Sequence, residues 1–333
     1  MPNHMQDDKL CNKGVVHINV EPLPSKYRVT SNLCLPCDWC MIFNTRQFFE
    51  LHRSTKSFYF QLISGDPAQV LGVAHFSEVA PGHYRSPRRG TFGGFEFREK
   101  LRMEVVEGVV AQVEQQLIDA GAEAIEILHP PASFNPPAAA VLYNILARRG
   151  YCVQPPELDY TLAINNEDFL ERVEYNLQKR IKKCQRENIR GVEVEPLQHR
   201  RVYDVISANR AARGFSVSMT YDGIEQMVTT FPDRLVFFGV FAGSDMIASS
   251  ICIRLSPTVL YVFYWGDLPG WEEYSPVSLL AMTIYDYARR NGCLQLDLGT
   301  STIHGVPNYG QINFKRAMGC QESLKLTFIK RLA

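Results

Sequence analysis

The sequence repeats itself at a spacing of 169 residues. AIEIL (124–128) stands opposite CLQLD (293–297), and NILARRGY (144–151) opposite NFKRAMGC (313–320). One such match would be chance. Two at a single offset, inside a run of elements in the same order, argue for an internal duplication. In the first half the runs SFYFQLI, QVLGVAHFSEV and TFGGFEF read as three strands. A helix over about 98–120, the strand AIEIL, a helix over 137–149 closed by Gly150, and the strand LDYTLAI (158–164) follow. The second half repeats this order with LVFFGVFAG, MIASSICIRL and TVLYVFYWG. Its helix has Ser275 as N-cap, Pro276 at the first position and Gly292 past its end. The strand 293–298, a helix carrying Phe314-Lys315-Arg316 and the strand SLKLTFIKRL complete it. Antiparallel strands followed by a strand–helix–strand crossover predict α/β mixed sheets, with halves at 1–158 and 159–333.

Between the two strand groups a long helix is expected over about 166–188, burying Phe169, Leu170, Val173, Leu177, Ile181 and Cys184. The 333 residues suit two domains. With 46% hydrophobic and 21% charged residues and zero net charge, the composition is that of a soluble globular protein. No apolar run approaches the ~18 residues of a membrane helix. MPNHMQDDKLC lacks a basic-then-apolar leader, so a cytoplasmic address is expected, with the nine cysteines mostly reduced. Cys34, Cys37 and Cys40, with Cys11 or His52, have a spacing a metal could use. No second CxxC pair follows, so packed thiols and no metal are expected.

The segment Tyr261–Arg316 holds most of the candidate chemistry. Strand, helix, strand and the polar loop Gly299–Gly305 place a site at the carboxyl end of the strands. Lys315 could stabilise an oxyanion or a phosphate. Asp297 could accept a proton, and His304 has the pKa range of a base. Thr300, Ser301 and Thr302 offer amides and hydroxyls, while Tyr264, Trp265 and Phe314 could line a substrate. Each also has an ordinary reading, as a solvated lysine, a loop-capping carboxylate, a tight turn or core aromatics. Two anion-contacting stretches stand apart. Lys179, Arg180 and Lys182 lie in a run of six bases and one acid on the long helix. Arg85 and Arg88 precede Gly93 and Gly94, suiting a loop that wraps an anion. The alternatives are a solvated helix face and a surface hairpin.

Three antiparallel strands, a helix, a strand and a helix resemble the core of the GNAT acyltransferases. There the fourth strand parts from the fifth, and amides at a helix start hold the donor's pyrophosphate. That resemblance assigns a donor role to Ser275 and Ser278. The approach Gly270-Trp271-Glu272-Glu273-Tyr274-Ser275-Pro276 lacks the glycine-rich basic turn, and its carboxylates would repel a pyrophosphate. Two fused GNAT-like halves, QKRIKKCQRENIRGVEV, SPVSLLAMTIYDYARRNG, LQLDLG and NFKRAMG together resemble the Fem family of peptidoglycan interpeptide-bridge aminoacyltransferases. The resemblance implies a tandem duplicated GNAT-like fold with its site between the halves. It implies an N-acyltransferase forming an amide on an amine of a cell-envelope or glycan precursor. The donor would be aminoacyl-tRNA or acyl-CoA, with tRNA a possible partner and no tightly bound cofactor. The family's phenylalanine-lysine pair falls on Phe314 and Lys315, and its basic segment on Lys179, Arg180 and Lys182. The reading of another class is a non-catalytic protein that binds an anionic ligand on the same scaffold.

Overall fold

The computed structural model describes residues 22–31, 33–98 and 100–332. These fall into two compact units, one made of residues up to Glu157 with those from Leu324 onward, the other of Leu158–Ser323.

The first unit comprises β1 (Tyr27–Thr30), α1 (Arg46–His52), β2 (Ser57–Ser64), β3 (Gln69–Ala80), β4 (His83–Ser86), β5 (Glu96–Phe97), α2 (Met103–Asp119), β6 (Ala124–Leu128), α3 (Pro136–Arg148) and β7 (Cys152–Val153). The chain continues through β8 (Glu157–Ala163), α4 (Phe169–Arg172), α5 (Tyr175–Arg186), β9 (Arg190–Glu193), α6 (His199–Ala212) and α7 (Tyr221–Thr230). There follow β10 (Leu235–Ala242), β11 (Asp245–Ser256), β12 (Val259–Asp267), α8 (Pro276–Arg290), β13 (Gln295–Thr300), the short β14 (Thr302–Ile303) and β15 (Val306–Pro307), α9 (Tyr309–Ala317), β16 (Gln321–Lys325) and β17 (Thr327–Arg331).

The first sheet runs β1-β2-β3-β4-β6-β17-β7, and the second β16-β8-β13-β12-β11-β10-β9. Both are mixed. β4 lies parallel to β6 across the crossover helix α2, and β12 lies parallel to β13 across α8. The last strand of each repeat sits beside the other repeat's crossover strand. β8 pairs with β13 in the second sheet, Leu162 opposite Leu296, while β17 pairs with β6 in the first, Phe328 opposite Ile127. The duplication is therefore visible in the pairing as well as in the sequence.

The alternation of apolar residues sets the cores. Val105, Val109, Val113 and Leu117 of α2 pack with Phe60, Phe76, Ile125 and Ile127. Leu280, Ile284 and Ala288 of α8 pack with Phe238, Leu260 and Leu296. Apolar burial of this extent is the main driving force for both units.

Four expectations change. SLKLTFIKRL is not one strand: β16 ends at Lys325 beside β8 in the second sheet, and β17 begins at Thr327 between β6 and β7 in the first. TFGGFEF is not a full strand: the third strand is the short HYRS, and only Glu96–Phe97 of that run pairs, with β3. Phe92 and Phe95 are apolar because they are buried between elements, which imitates strand alternation in sequence. The long helix of 166–188 is broken at Val173, whose backbone is extended, and the next amide, that of Glu174, donates to the Ala317 carbonyl at 2.8 Å. Its expected apolar face is nonetheless buried at Phe169, Val173, Leu177, Ile181 and Cys184. Ser275 precedes α8 in the left-handed region (φ 50°) and does not cap with its side chain. Pro276 leaves no amide at the first position, and the Ser275 hydroxyl instead meets that of Ser278 at 3.0 Å.

Candidate functional site

β12 and β13 pair at Val259–Gln295, Leu260–Leu296 and Tyr261–Asp297, and then part. β12 continues to Asp267, β13 to Thr300, and a cavity of about 480 Å³ opens there. Val262, Phe263, Trp265, Gly266 and Asp267 line it from β12. Leu298, Gly299 and Thr300 line it from β13, and Ser275 and Val277 from the start of α8. Gln311, Phe314 and Lys315 of α9 form a further wall, and Asn209, Arg210 and Arg213 at the end of α6 another. Every lining residue belongs to the second unit.

Lys315 is 3% exposed, yet its ammonium group has a fixed environment. Nζ donates to the carbonyls of Gly299 at 2.7 Å and Thr300 at 3.0 Å, and lies 5.3 Å from the centre of the Tyr160 ring. Burial lowers its pKa to about 8, against the opposing attraction of Asp159 and Asp297. An ammonium has three donors, so one remains beyond the two carbonyls. Phe314, its neighbour, lies 6.0 Å from the Trp265 ring centre, and both line the cavity.

Asp297 is 1% exposed and its Oδ1 accepts from the Gly299 amide at 2.7 Å. It shapes the turn carrying Gly299 and Thr300 and is not part of the cavity lining. Thr300 lines the cavity, but Ser301 and Thr302 are buried behind it. The Ser301 amide donates to the Leu158 carbonyl, and Thr302 Oγ1 accepts from the Leu158 amide at 2.9 Å. His304 stands at the exposed turn between β14 and β15 with φ 51°, outside the lining. Tyr264 is buried with its hydroxyl bonded to that of Ser218, so it supports the wall while Trp265 faces the cavity.

Sequence reasoning missed the α6 wall. Asn209 is 6% exposed and donates from Nδ2 to the Asp267 carbonyl at 2.7 Å and to its Oδ1 at 3.2 Å. Gly266 makes this approach possible, because a Cβ there would sit 2.6 Å from the Asn209 side chain. Asp267 is only partly exposed, and its pKa is raised because burial disfavours the carboxylate, with Arg213 at 3.7 Å pulling the other way. The i, i+3 spacing of Arg210 and Arg213, which places them on one helix face, was the available signal.

The other expected anion contacts lie elsewhere. Lys179, Arg180 and Lys182 are exposed on α5, with the Lys179 ammonium 4.3 Å from the Tyr175 ring centre. Lys183 of the same helix pairs with Glu273 at 2.8 Å. In the first unit, Arg85 donates to the carbonyls of Pro87 and Arg88, and Arg88 to that of His52. Gly93 donates to the Leu128 carbonyl at 2.7 Å and Gly94 to Ser86 Oγ at 2.9 Å. This stretch is bonded to its own backbone and to the carbonyls of His52 and Leu128. At the start of α8, the amides of Ser275 and Ser278 donate within the turn, to Trp271, Glu272 and Ser275. Ser278 is fully buried.

Among the described residues no cluster of metal-ligating side chains occurs. Cys37 and Cys40 approach to 3.5 Å as free thiols, Cys34 is exposed, and Cys11 lies outside the described residues. No described helix is long and apolar enough to cross a membrane.

Residues 171–316 match the family model of the acetyltransferase (GNAT) domain. The second unit carries a GNAT domain. That assignment makes the chain an acyltransferase by class. The architecture of the whole is the tandem GNAT fold. The crystal structure of FemX matches 87% of this chain and 92% of its own, at 12% identity and a TM-score of 0.66. The C-terminal domain of a putative lysylphosphatidylglycerol synthetase from Agrobacterium fabrum matches 78% of this chain and 81% of its own, at 12% identity and a TM-score of 0.53. A tandem GNAT protein of the clavulanic acid biosynthesis pathway matches 83% and 82%, at 12% identity and a TM-score of 0.50. No curated protein matches by sequence. In the GNAT domain, the cavity lies where the parallel strands separate.

Proposed function

We propose that the GNAT domain of the second unit transfers an acyl group to an amine in the cavity between β12 and β13. The observation that carries this reading is the cavity itself. It brings one ammonium group, Lys315, and one partly buried carboxylate, Asp267, to walls of a single space. The acyl carbonyl lies beside Lys315, whose remaining N–H donates to the oxyanion as it forms. The amine lone pair attacks the carbonyl carbon, a C–N bond forms, and the C–O or C–S bond to the leaving group breaks. The proton lost from nitrogen goes to Asp267, which returns it to the departing alkoxide or thiolate so that the leaving group departs as hydroxyl or thiol. Trp265 and Phe314 form apolar cover that keeps the charges strong.

Aminoacyl-tRNA is the donor we favour. The amides of Ser275 and Ser278, which a coenzyme A pyrophosphate would need, donate within their own turn, and Glu272 stands beside them. α5 presents Lys179, Arg180 and Lys182 to solvent, and its Lys183 is joined to Glu273 of the segment leading into α8. Such a face suits a phosphate backbone. The resemblance to the Fem aminoacyltransferases supports the same donor, and an amine of a cell-envelope or glycan precursor as acceptor.

The test is thermal shift of the purified chain against uncharged tRNA, acetyl-CoA and a longer acyl-CoA, followed by transfer from the donor that binds. A salt-sensitive shift with tRNA is expected. A saturable shift with the CoA esters alone would make the chain an acyl-CoA enzyme. Binding without turnover of either donor would leave a non-catalytic anion binder.

A further inference from the structure

The α6 wall of the cavity holds two guanidinium groups against one carboxylate. Arg213 pairs with Asp267 at 3.7 Å, whereas Arg210 has no carboxylate within 4.0 Å among the described residues. Arg210 is half-buried, lines the cavity, and lies within electrostatic reach of Tyr264. A guanidinium stays charged at any working pH, and leaving it partly desolvated without a counterion is costly. Its planar fork matches a carboxylate or a phosphate.

The surroundings hold this charge in place. Ser249 Oγ donates to the Val202 carbonyl at 2.8 Å and fixes α6 on β11. Asn209, next to Arg210 in the chain, is locked onto Asp267 and against Gly266. Tyr264 and Ser218 tie the following loop to β12. The backbone that presents Arg210 is therefore preorganised, which lowers the ordering cost of binding.

We propose that Arg210, with Arg213 at the rim, forms a subsite for a carboxylate or phosphate carried by the amine acceptor. That the occupant is the acceptor rests on the function proposed above. Lys315 stands on another wall of the cavity, where the acyl carbonyl is placed. The α6 wall is left for the incoming molecule. Asp267 lies beside the arginines, so the acceptor has its amine and its anionic group on one short frame.

The test uses the whole chain without any donor. ω-Aminocarboxylates, ω-aminoalkyl phosphates and plain alkylamines of matched length are titrated at low salt, with tryptophan fluorescence and melting temperature as readouts. Saturable binding is expected for one of the two anionic series, and which one identifies the group. Arg210→Gln should weaken it at least tenfold. Arg210→Lys, which keeps the charge and loses the fork, should weaken it less and guards against a folding defect. Arg200→Gln, at an exposed residue of α6 paired with Asp204, should leave it unchanged. Equal binding of the alkylamines, no binding in any series, or full binding by Arg210→Gln would overturn the subsite. Because no turnover is read, anion-dependent binding in a chain that transfers nothing would sink the acyltransferase mechanism and keep the subsite.

Discussion

In the first unit β4 and β6 stay paired to Ser86 and Ile127, and the chain then turns back into the place where they would part. Gly93 bonds to Leu128, Gly94 to Ser86, and Phe92 and Phe95 are buried there. In the second unit β12 and β13 part after Tyr261 and Asp297, and the space beyond is a cavity. The same strand pair from one duplication is plugged in one unit and open in the other. A parallel pair with a crossover helix supplies a potential site, and the loop after its first strand decides whether that site exists. The basic, glycine-rich loop of the first unit is the plug. Arg85 and Arg88 bond to carbonyls of their own unit.

The largest effect should come from the open unit. Asp267→Asn removes the proposed proton acceptor, with an expected loss of about 10²–10⁴ in kcat. Since burial raises its pKa, wild-type activity should fall as the pH drops through that raised value, and the variant should lack this acid limb. An unchanged pH–rate profile in Asp267→Asn would remove the residue from the mechanism.

Lys315→Met comes next. Loss of one oxyanion donor lowers kcat by about 10²–10³. Lys315 loses its proton as the pH rises through about 8, so an alkaline limb near that value should be present in wild type and absent in the variant. Single-turnover rates across pH 6–10 would show both.

Gly94→Ala probes the plug. Gly94 has φ +81°, and a Cβ there would sit 2.7 Å from Ile127 Cγ2. The left-handed backbone and the overlap together should destabilise the first unit by about 2–3 kcal/mol, read by urea unfolding. The GNAT domain's kcat should not change; a large loss would mean the plug also serves the open site.

The smallest effect is a pH slope. Glu96 is half-buried and accepts from the Met41 amide and Asn44 Nδ2; desolvation raises its pKa from 4.5 to about 7. The folded state holds this proton more tightly than the unfolded state. Its contribution to stability is therefore fullest below about 4.5, declines as the pH rises to about 7, and is flat above. Glu96→Gln should flatten that decline in urea titrations at pH 4.5, 6 and 7.5. A slope equal to wild type would refute the assignment.

The sequence by itself determined the duplication, most of the strand and helix order, and Phe314 and Lys315 of the wall it expected, with Trp265 and Thr300 among its substrate-lining candidates. Those are set by local periodicity, glycine stops and a repeat offset, all of which survive in one dimension. Asp297 and Tyr264, expected on the same wall, stand outside the lining. It also placed Asp297 and Lys315 near one another, since strand, loop and helix are consecutive. Tertiary structure alone decided which unit is open, because Phe92 and Phe95 look alike in sequence whether they pair in a strand or fill a gap. It alone chose Arg210 and Arg213 from the arginines of the α6 segment, since their facing depends on how Asn209 meets Gly266 some 57 residues later in the chain. And it exchanged the final strands, setting β8 beside β13 and β17 beside β6. A strand's alternation specifies which face is buried and leaves its partner to long-range packing.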